Sequence, residues 1–366
     1  MRILYVTTIS ATMTFFTSFI KDLIDEGHTV DIATNEKDKP VPQCYRDWGC
    51  NVYPIETSRA PANKGNFIAI KQLEKIVKSR KYDIVHCHTP VAALCTRLAC
   101  RKARKKGTKV IYTAHGFHFY KGAPLKNWLL YYPIEKFCAL FTDVLITINK
   151  EDYAFAQKKI KAKSIEYVPG VGINPDKISK TVVESTAKRK ELGVPADATL
   201  LLSVGELNDN KNHETVIRAI ADMDVYYLIA GKGFLQEHLQ SVIDSLNLST
   251  RVKLLGHRTD VVELYKIADA FIFPSFREGL SVSLMEAMAS GLPVACSRIR
   301  GNTDLINENG GVFFDPHNED ECVEAIKNLL ASSEKNLGLY NEKRIEGYRD
   351  DYINSLLKQI YERTKG

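Results

Sequence analysis

Two glutamates, Glu278 and Glu286, stand eight residues apart in the run PSFREGLSVSLMEA (274–287). The segment Glu278-Gly279-Leu280-Ser281 precedes a stretch that reads as a helix over 282–290. Glycine at 279 lets backbone approach a ligand closely, and free N–H groups at a helix start can hold a phosphate, aided by the helix dipole. Glu286 falls about one turn inside that helix, among the small residues Ala287, Ala289 and Gly291. A carboxylate there suits a pair of sugar hydroxyls, as the acidic residue does in dinucleotide sites. A full helix sets the two backbones about 12 Å apart. That is too far for a tight two-carboxylate hydrolase pair, whose groups lie about 5–9.5 Å apart. The two are therefore expected to grip different parts of one extended ligand. Lys211, in GELNDNKNH (205–213), is the candidate counter-charge for a diphosphate.

Histidines form a second set. One apolar run ends His86-Cys87-His88, and another (110–113) leads into His115-Gly116. His115, at a strand end, is expected to face a cleft. His86 and His88 share a strand face, which makes a metal site conceivable, but no third ligand is evident. The eight cysteines include no C-x-x-C pair, and most sit in or beside apolar segments. They read as free buried thiols rather than disulfides or zinc ligands.

The elements that must position these groups alternate in type. Strands are expected at 3–7, 29–33, 52–54, 83–88, 110–113, 144–148 and 165–168. Helices are expected at 15–25, 66–80, 91–106, 127–140 and 150–160. Several strands are continuous apolar runs, which fits a parallel sheet covered on both faces. VPGVGINPDKI (168–178) reads as a linker, and the rhythm then restarts. New strands are expected at 199–204, 226–230, 252–255, 270–273, 294–296 and 311–314, with helices at 212–222, 234–246, 260–267, 282–290 and 319–331. This predicts two doubly wound α/β domains in tandem, 1–172 and 173–345, with a tail (346–366). The tail's apolar stripe from Tyr352 to Tyr361 has to be buried, and the first domain is the expected partner.

In an open parallel sheet, ligands bind beyond the carboxyl ends of the strands. At that edge the second domain places GELNDNKNH, then GKG (231–233), GHR (256–258), the glutamate loop, and SRIRGN (297–302). Each loop alone is a weak signal. Five in succession make a strong one.

With 45% hydrophobic and 26% charged residues, the chain is neither collagen-like nor disordered. Ile3–Ile20 is uncharged, but seven of its 18 residues are Thr or Ser, so it reads as strand, loop and helix start rather than leader or anchor. A cytoplasmic chain is expected. Residues 1–172 hold 27 Lys/Arg against 15 Asp/Glu, a net +12, while residues 173–366 are net −6. The first half is thus expected to meet an anionic partner, such as a phosphorylated substrate or an anionic membrane. No nucleic-acid module accompanies the basic run Arg97, Arg101, Lys102, Arg104, Lys105, Lys106 and Lys109, which reads as a solvated helix face. The aromatic and lysine-rich stretch 115–137 suits a membrane interface, an amphipathic acceptor, or burial on its own domain.

These motifs together resemble family 4 glycosyltransferases of the GT-B fold, in particular those of bacterial exopolysaccharide and capsule assembly. The resemblance spans the chain. It rests on the E-x7-E element (Glu278, Glu286) with AMASGLPVA, on SVGELNDNKNH, IAGKG and LLGHR, and on DIVHCHTP and TAHGFHFYKG in the first half. It implies two Rossmann-like domains facing across a cleft, and retaining transfer from a nucleotide-sugar, a UDP-sugar above all, without a metal or other cofactor. It implies donor contacts at Gly205, Glu206, Lys211, Gly231, Gly233, Gly256, His257, Arg258, Gly279, Leu280, Ser281, Val282 and Glu286. Glu286 would bind the ribose, and Lys211 with the 279–282 backbone the diphosphate. Glu278, His115 and Lys211 are the implied catalytic set. Thr8, His88, His115, Gly116 and Phe117 are implied on the acceptor side, the acceptor being a glycan or a polyprenyl-diphosphate-linked glycan at the inner membrane face. Two departures stand out. The family often carries Arg where this chain has Glu206, which leaves Lys211 alone or helped by Arg258, Arg298 or Arg300. The first loop, TTISAT (7–12), lacks the usual glycines.

Other classes fit less well. An NAD-dependent oxidoreductase needs G-x-G-x-x-G after a first strand, and neither TTISAT nor GELNDN supplies it. A nucleotide-sugar epimerase shares the two-domain fold, but it would release no glycoside and the paired-glutamate signature fits it less well. A basic membrane scaffold would explain the charge but not the five loops.

Overall fold

The computed structural model describes residues 1–332 and 336–366. It divides into two compact units, Met1–Gly172 with Asp350–Gly366, and Ile173–Arg349.

The first unit is a seven-stranded, all-parallel sheet. Its strands are β1 (Arg2–Val6), β2 (Thr29–Thr34), β3 (Val52–Pro54), β4 (Ile84–His88), β5 (Lys109–Ala114), β6 (Val144–Thr147) and β7 (Ser164–Tyr167), in the order β3-β2-β1-β4-β5-β6-β7. The second is a six-stranded parallel sheet. It comprises β8 (Leu200–Val204), β9 (Tyr226–Ala230), β10 (Val252–Gly256), β11 (Ala270–Phe273), β12 (Val294–Ser297) and β13 (Gly311–Phe314), in the order β10-β9-β8-β11-β12-β13. Both sheets are Rossmann-like, with order 3-2-1-4-5-6 at their heart, and the order reverses beside β1/β4 and beside β8/β11. Those reversal points are where such sheets open a crevice for ligands.

The central strands are buried on both faces, as their unbroken apolar runs require, while the edge strands β3, β7 and β10 are only partly covered. One core lies under the helices Gly65–Ser79 and Pro90–Ala99 (Leu73, Val77, Val85, Cys95, Tyr112). A second lies on the other face of the same sheet, where Ile3, Tyr5 and Ile20 meet Ile353, Ile360 and Tyr361 of the tail helix Asp350–Lys365. The tail therefore covers the first unit. Asn354 donates to Ser18 Oγ (3.1 Å) and Asp22 Oδ2 (2.9 Å), which fixes its register. The segment 346–349 stays with the second unit, because Tyr348 donates to Asp304 O (2.8 Å) and its carbonyl accepts from Ile173 N (3.0 Å).

Some expectations needed correction. The helix expected over 91–106 breaks at Cys100 into Pro90–Ala99 and Arg101–Arg104. Arg97 is not solvated: its side chain is 1% exposed and its guanidinium grips Glu135 at 2.5 and 3.1 Å, over the Tyr112 ring at 4.4 Å. Arg104 likewise pairs with Asp143 at 2.8 Å. The linker 168–178 holds the first turn of a helix, Pro175–Ser179, capped by Asn174. A helix at Leu337–Ile345 went unforeseen, because its apolar positions are sparse.

Candidate active site

In the second unit, backbone hydrogen bonds lash four strand-tip loops side by side. Gly205 N donates to Ala230 O (3.0 Å), Leu207 N to Lys232 O (3.0 Å), Gly231 N to Gly256 O (2.9 Å) and Phe276 N to Asn210 O (2.8 Å). Asn210 Nδ2 donates to Arg277 O at 2.9 Å. The fit demands glycine at two positions. A Cβ on Gly231 would stand 1.7 Å from Gly205 O, and one on Gly233 2.1 Å from Leu207 O. The fifth loop closes on the fourth, with Gly301 against Gly279 O. The sequence-predicted residues 205, 231, 233, 256 and 279 are thereby brought to one edge.

Lys211 ends a short turn, Asp209–Lys211, whose start is capped by Asn208 Oδ1 accepting from Lys211 N (3.0 Å). Its stem crosses Gly205, and its ammonium sits 2.7 Å from Glu278 Oε1 and 4.7 Å from the Phe273 ring centre. Both partners are partly exposed, Lys211 at 18% and Glu278 at 14%. One of three ammonium donors is used on Glu278, so the others remain for an anion. Asn212 holds the left-handed conformation (φ 52°), and its side chain donates to Pro274 O (3.2 Å) and Pro316 O (2.9 Å). His213 behind it is buried; burial, with Lys211 nearby, lowers its imidazole to about 3.

The helix Val282–Ala289 starts as read, with Ser281 as its cap, its Oγ accepting from Leu284 N (3.4 Å). Glu286 lies on a half-buried face, where the Tyr265 hydroxyl donates to it at 3.2 Å. Burial pushes its carboxyl above the ordinary range, against the pull of Tyr265 and Lys177. Leu280 is buried, His257 and Glu206 are exposed, and Val282 is intermediate. Arg258 is not a free helper for the diphosphate: Asp260 holds it at 2.8 Å through Nε, and the pairing raises its pKa. Arg298 pairs with Glu308 at 3.3 Å and stacks on Phe313 at 4.5 Å, while Arg300 is buried.

In the first unit, the reversal point joins Thr8 to Thr89, their hydroxyls 2.6 Å apart. Thr89 takes φ 67°, strained for a β-branched residue, in a place where such strain is commonly functional. A cavity of about 250 Å³ opens there, bounded by Thr8, Thr12, Arg59, Thr89, His118 and Tyr131. His115 follows β5, half-buried, and burial lowers its imidazole to about 4. Gly116 takes φ 119°, which turns the chain after it.

Two acceptor-side expectations fail as direct contacts. Phe117 turns into the core, stacked on Phe119 at 4.8 Å, because the run after Gly116 carries two aromatics that both pack inward. His88 is 2% exposed, walled by Tyr5, Phe16 and His86, and its Nδ1 meets His115 Nε2 at 3.1 Å. His86 spends both ring nitrogens on protein hydroxyls, Tyr361 (2.6 Å) and Thr113 (2.8 Å). Among the described residues no group of three His, Cys, Asp or Glu is placed to hold a metal ion. Sequence reasoning missed Asn208, Asn210, Phe273, Tyr265, Arg59 and His118. The asparagines carried a signal, since three Asn in five residues (208–212) favour side-chain caps and turns; the others carried none.

The profile for Glycosyl transferases group 1 matches residues 184–345, and that for Glycosyl transferase 4-like matches 2–149. The chain is 37% identical over 313 residues to EpsD of Bacillus subtilis (strain 168), covering 82% of this chain and 79% of that one. It is 29% identical over 309 residues to the UDP-Gal:alpha-D-GlcNAc-diphosphoundecaprenol alpha-1,3-galactosyltransferase of Escherichia coli, covering 78% and 79%. Its fold is similar to that of Anabaena Alr3699/HepE in complex with UDP-glucose, with TM-score 0.82, 19% identity, and 99% and 100% of the two chains covered.

Proposed function

Because this chain belongs to the group 1 glycosyltransferases, with the GT-B fold, we propose that it is a retaining enzyme moving a hexose or N-acetylhexosamine from a UDP-sugar to a lipid-diphosphate-linked glycan in exopolysaccharide or capsule assembly. The observation that carries this reading is the loop edge of the second unit. There a half-engaged lysine, a capped helix start and a partly buried glutamate are held by close backbone contacts. The family resemblance assigns the diphosphate to Lys211 and the 279–282 segment, and the ribose to Glu286. The Escherichia coli relative is named for a UDP-sugar donor and a diphosphoundecaprenol acceptor, which supports the choice of both classes.

In this reading Lys211 and the N–H groups of 279–282 hold the diphosphate and stabilise charge as it leaves. Glu286 accepts from the ribose hydroxyls. A raised pKa does not remove that capacity, because either carboxyl form accepts a hydrogen bond. Glu278 and His115 meet the donor sugar. Leaving phosphate and incoming hydroxyl share one face, the phosphate takes the proton, and no metal is required. The first unit receives the acceptor beside Thr8 and the cavity of Arg59 and His118.

A peripheral position on an anionic membrane accompanies this reading. No helix among the described residues is long and apolar enough to cross a bilayer. Yet Phe15, Phe67, Ile68, Leu125 and Leu129 are exposed on helices that follow carboxyl ends of first-unit strands, and the exposed Lys64, Lys71, Lys121 and Lys126 lie within four residues of Phe67, Ile68 and Leu125 in the sequence. Apolar and cationic side chains mixed this way suit a headgroup boundary.

A nucleotide-sugar panel read by melting temperature tests the donor class. A ligand at 100 times its Kd stabilises by about 2.7 kcal/mol. UDP-sugars are expected to raise the transition, and UDP release should then depend on a lipid-diphosphate acceptor. If no UDP-sugar shifts the melt, the UDP reading is wrong.

A further inference from the structure

His88 has one partner for two ring nitrogens. Its Nδ1 meets His115 Nε2 at 3.1 Å, and its Nε2 is buried with no partner. A neutral imidazole carries one N–H and one lone pair, so the pair can be arranged in two ways. In the first, His88 Nδ1–H donates to His115 Nε2, which leaves His115 with its proton on Nδ1. In the second, His115 Nε2–H donates, and His88 then buries an Nε2–H that nothing accepts. An orphaned buried donor is the rarer and costlier defect. A ring face could accept such an N–H only if it lay edge-on to the His88 plane. The rings around His88 do not. Tyr5 is inclined by 20°, Phe16 by 35°, His86 by 37° and His115 by 36°. All are nearer parallel than perpendicular, so the first arrangement prevails.

The rest of the cluster holds His88 still. His86 touches it at 4.1 Å between ring centres, and His86 is itself tethered at both nitrogens, to Tyr361 of the tail helix and to Thr113 of β5. A chain of fixed rings thus runs from the tail helix to His115.

We propose that His88 is a positioning residue that holds His115 in its Nδ1–H tautomer, so that His115 offers a hydrogen-bond donor to an oxygen of the bound sugar nucleotide. The second half of that statement rests on the reading of His115 as a donor-sugar contact. The first half does not. His88 itself touches no substrate. It acts as the second carboxylate or carbonyl partner acts on many functional histidines, but with a neutral ring in that place.

The test uses the full chain with 15N-labelled histidine. Long-range 1H–15N correlation spectra distinguish a protonated ring nitrogen from an unprotonated one, and His115→Gln assigns the signals. The expected result is His115 protonated at Nδ1 and bare at Nε2. His88→Leu should then mix the two tautomers and lower kcat by about tenfold, with the donor KM within about twofold. His88→Asn, whose amide nitrogen sits near the former Nδ1, should recover kcat to within about threefold of wild type and restore the single tautomer. In a His115→Ala background His88→Leu should cost nothing further. An Nε2–H tautomer in the wild type, or a His88→Leu variant with tautomer and kcat unchanged, overturns the proposal. Should His88→Leu not fold, the wild-type spectrum decides alone. If no sugar nucleotide is turned over, the functional reading fails, while the tautomer result still stands or falls by itself.

Discussion

Two cation–carboxylate pairs, Arg97–Glu135 in the first unit and Lys211–Glu278 in the second, teach opposite lessons. Each was a basic residue in a polar-looking run. Arg97 is sealed: two hydrogen bonds to Glu135, one from Nε to Ala93 O (3.0 Å), and Tyr112 below. Three of its five N–H donors are engaged by these partners, and the side chain is closed to solvent. Lys211 shares one bond with Glu278 at a loop edge and keeps capacity in reserve. The first pair is structural and the second is poised. What separates them is how many donors the fold has already satisfied, not charge or spacing.

The largest expected effect breaks the sealed pair. Arg97→Leu strands Glu135 in the core and should lower stability by about 3–5 kcal/mol, since an unpaired buried charge is left. Activity per folded molecule should hold. Adding Glu135→Leu should recover most of the loss, because replacing a whole buried pair with apolar groups is often near neutral. Chemical denaturation measures both. A milder effect of Arg97→Leu than of the double variant would contradict a sealed pair.

Next comes the poised pair. Lys211→Ala should leave the melting temperature within a few degrees and reduce kcat about 10²–10³-fold, the range for removing one preorganised group aimed at developing charge. Glu286→Ala should act mainly on donor KM, with kcat also falling, since it grips the ribose rather than the reacting atoms. A Lys211→Ala enzyme at near-normal rates would leave the diphosphate without its proposed partner.

How legible was this contrast beforehand? Both sheets, nearly every strand, and the five loops could be read, because parallel strands and helix starts impose local patterns. Glu278, Glu286 and Lys211 were found through their spacing, and the tail helix through its apolar stripe. The fates of Arg97, His88 and Phe117 were not. Each depends on a partner far along the chain: Arg97 on Glu135, His88 on Tyr5 and Phe16, Phe117 on Phe155. A long-range pairing leaves no local period. The Asn210 and Asn212 bonds that bind loop to loop were invisible for the same reason, whereas the local Asn208 cap was not.

Acid should separate the two units more gradually. The first holds His86 near 3, His115 near 4 and His88 well below its usual value, all chiefly through burial. The second holds one such histidine, His213, near 3. A histidine whose folded pKa is depressed binds its proton more readily when unfolded. Its contribution is present above about 6.5 and is lost as pH falls toward the folded value, at up to about 1.4 kcal/mol per pH unit. Glu286 acts the other way in the second unit, because its raised pKa favours the protonated folded form. Between pH 6.5 and 4.5 the first unit should therefore lose stability faster. Hydrogen exchange followed along the chain resolves the units. Equal losses in the two would undo this account.

The smallest effect concerns Glu206, where the family resemblance leads one to expect arginine. It is exposed, beside Leu207, whose N–H is bound to the 231–233 loop, so its backbone is fixed while its side chain is not. An acid there repels the diphosphate that Lys211 attracts, across water that weakens both terms. Glu206→Arg should thus lower the donor KM by about two- to fourfold at low salt, and by less at about 0.5 M salt, because screened surface charges contribute little. Thermal stability should not move, since nothing in the fold depends on that carboxylate. If KM instead rises, the new arginine has captured Glu278 from Lys211. The poised pair would then be more easily spent than its geometry suggests, and its difference from the sealed pair would be one of degree.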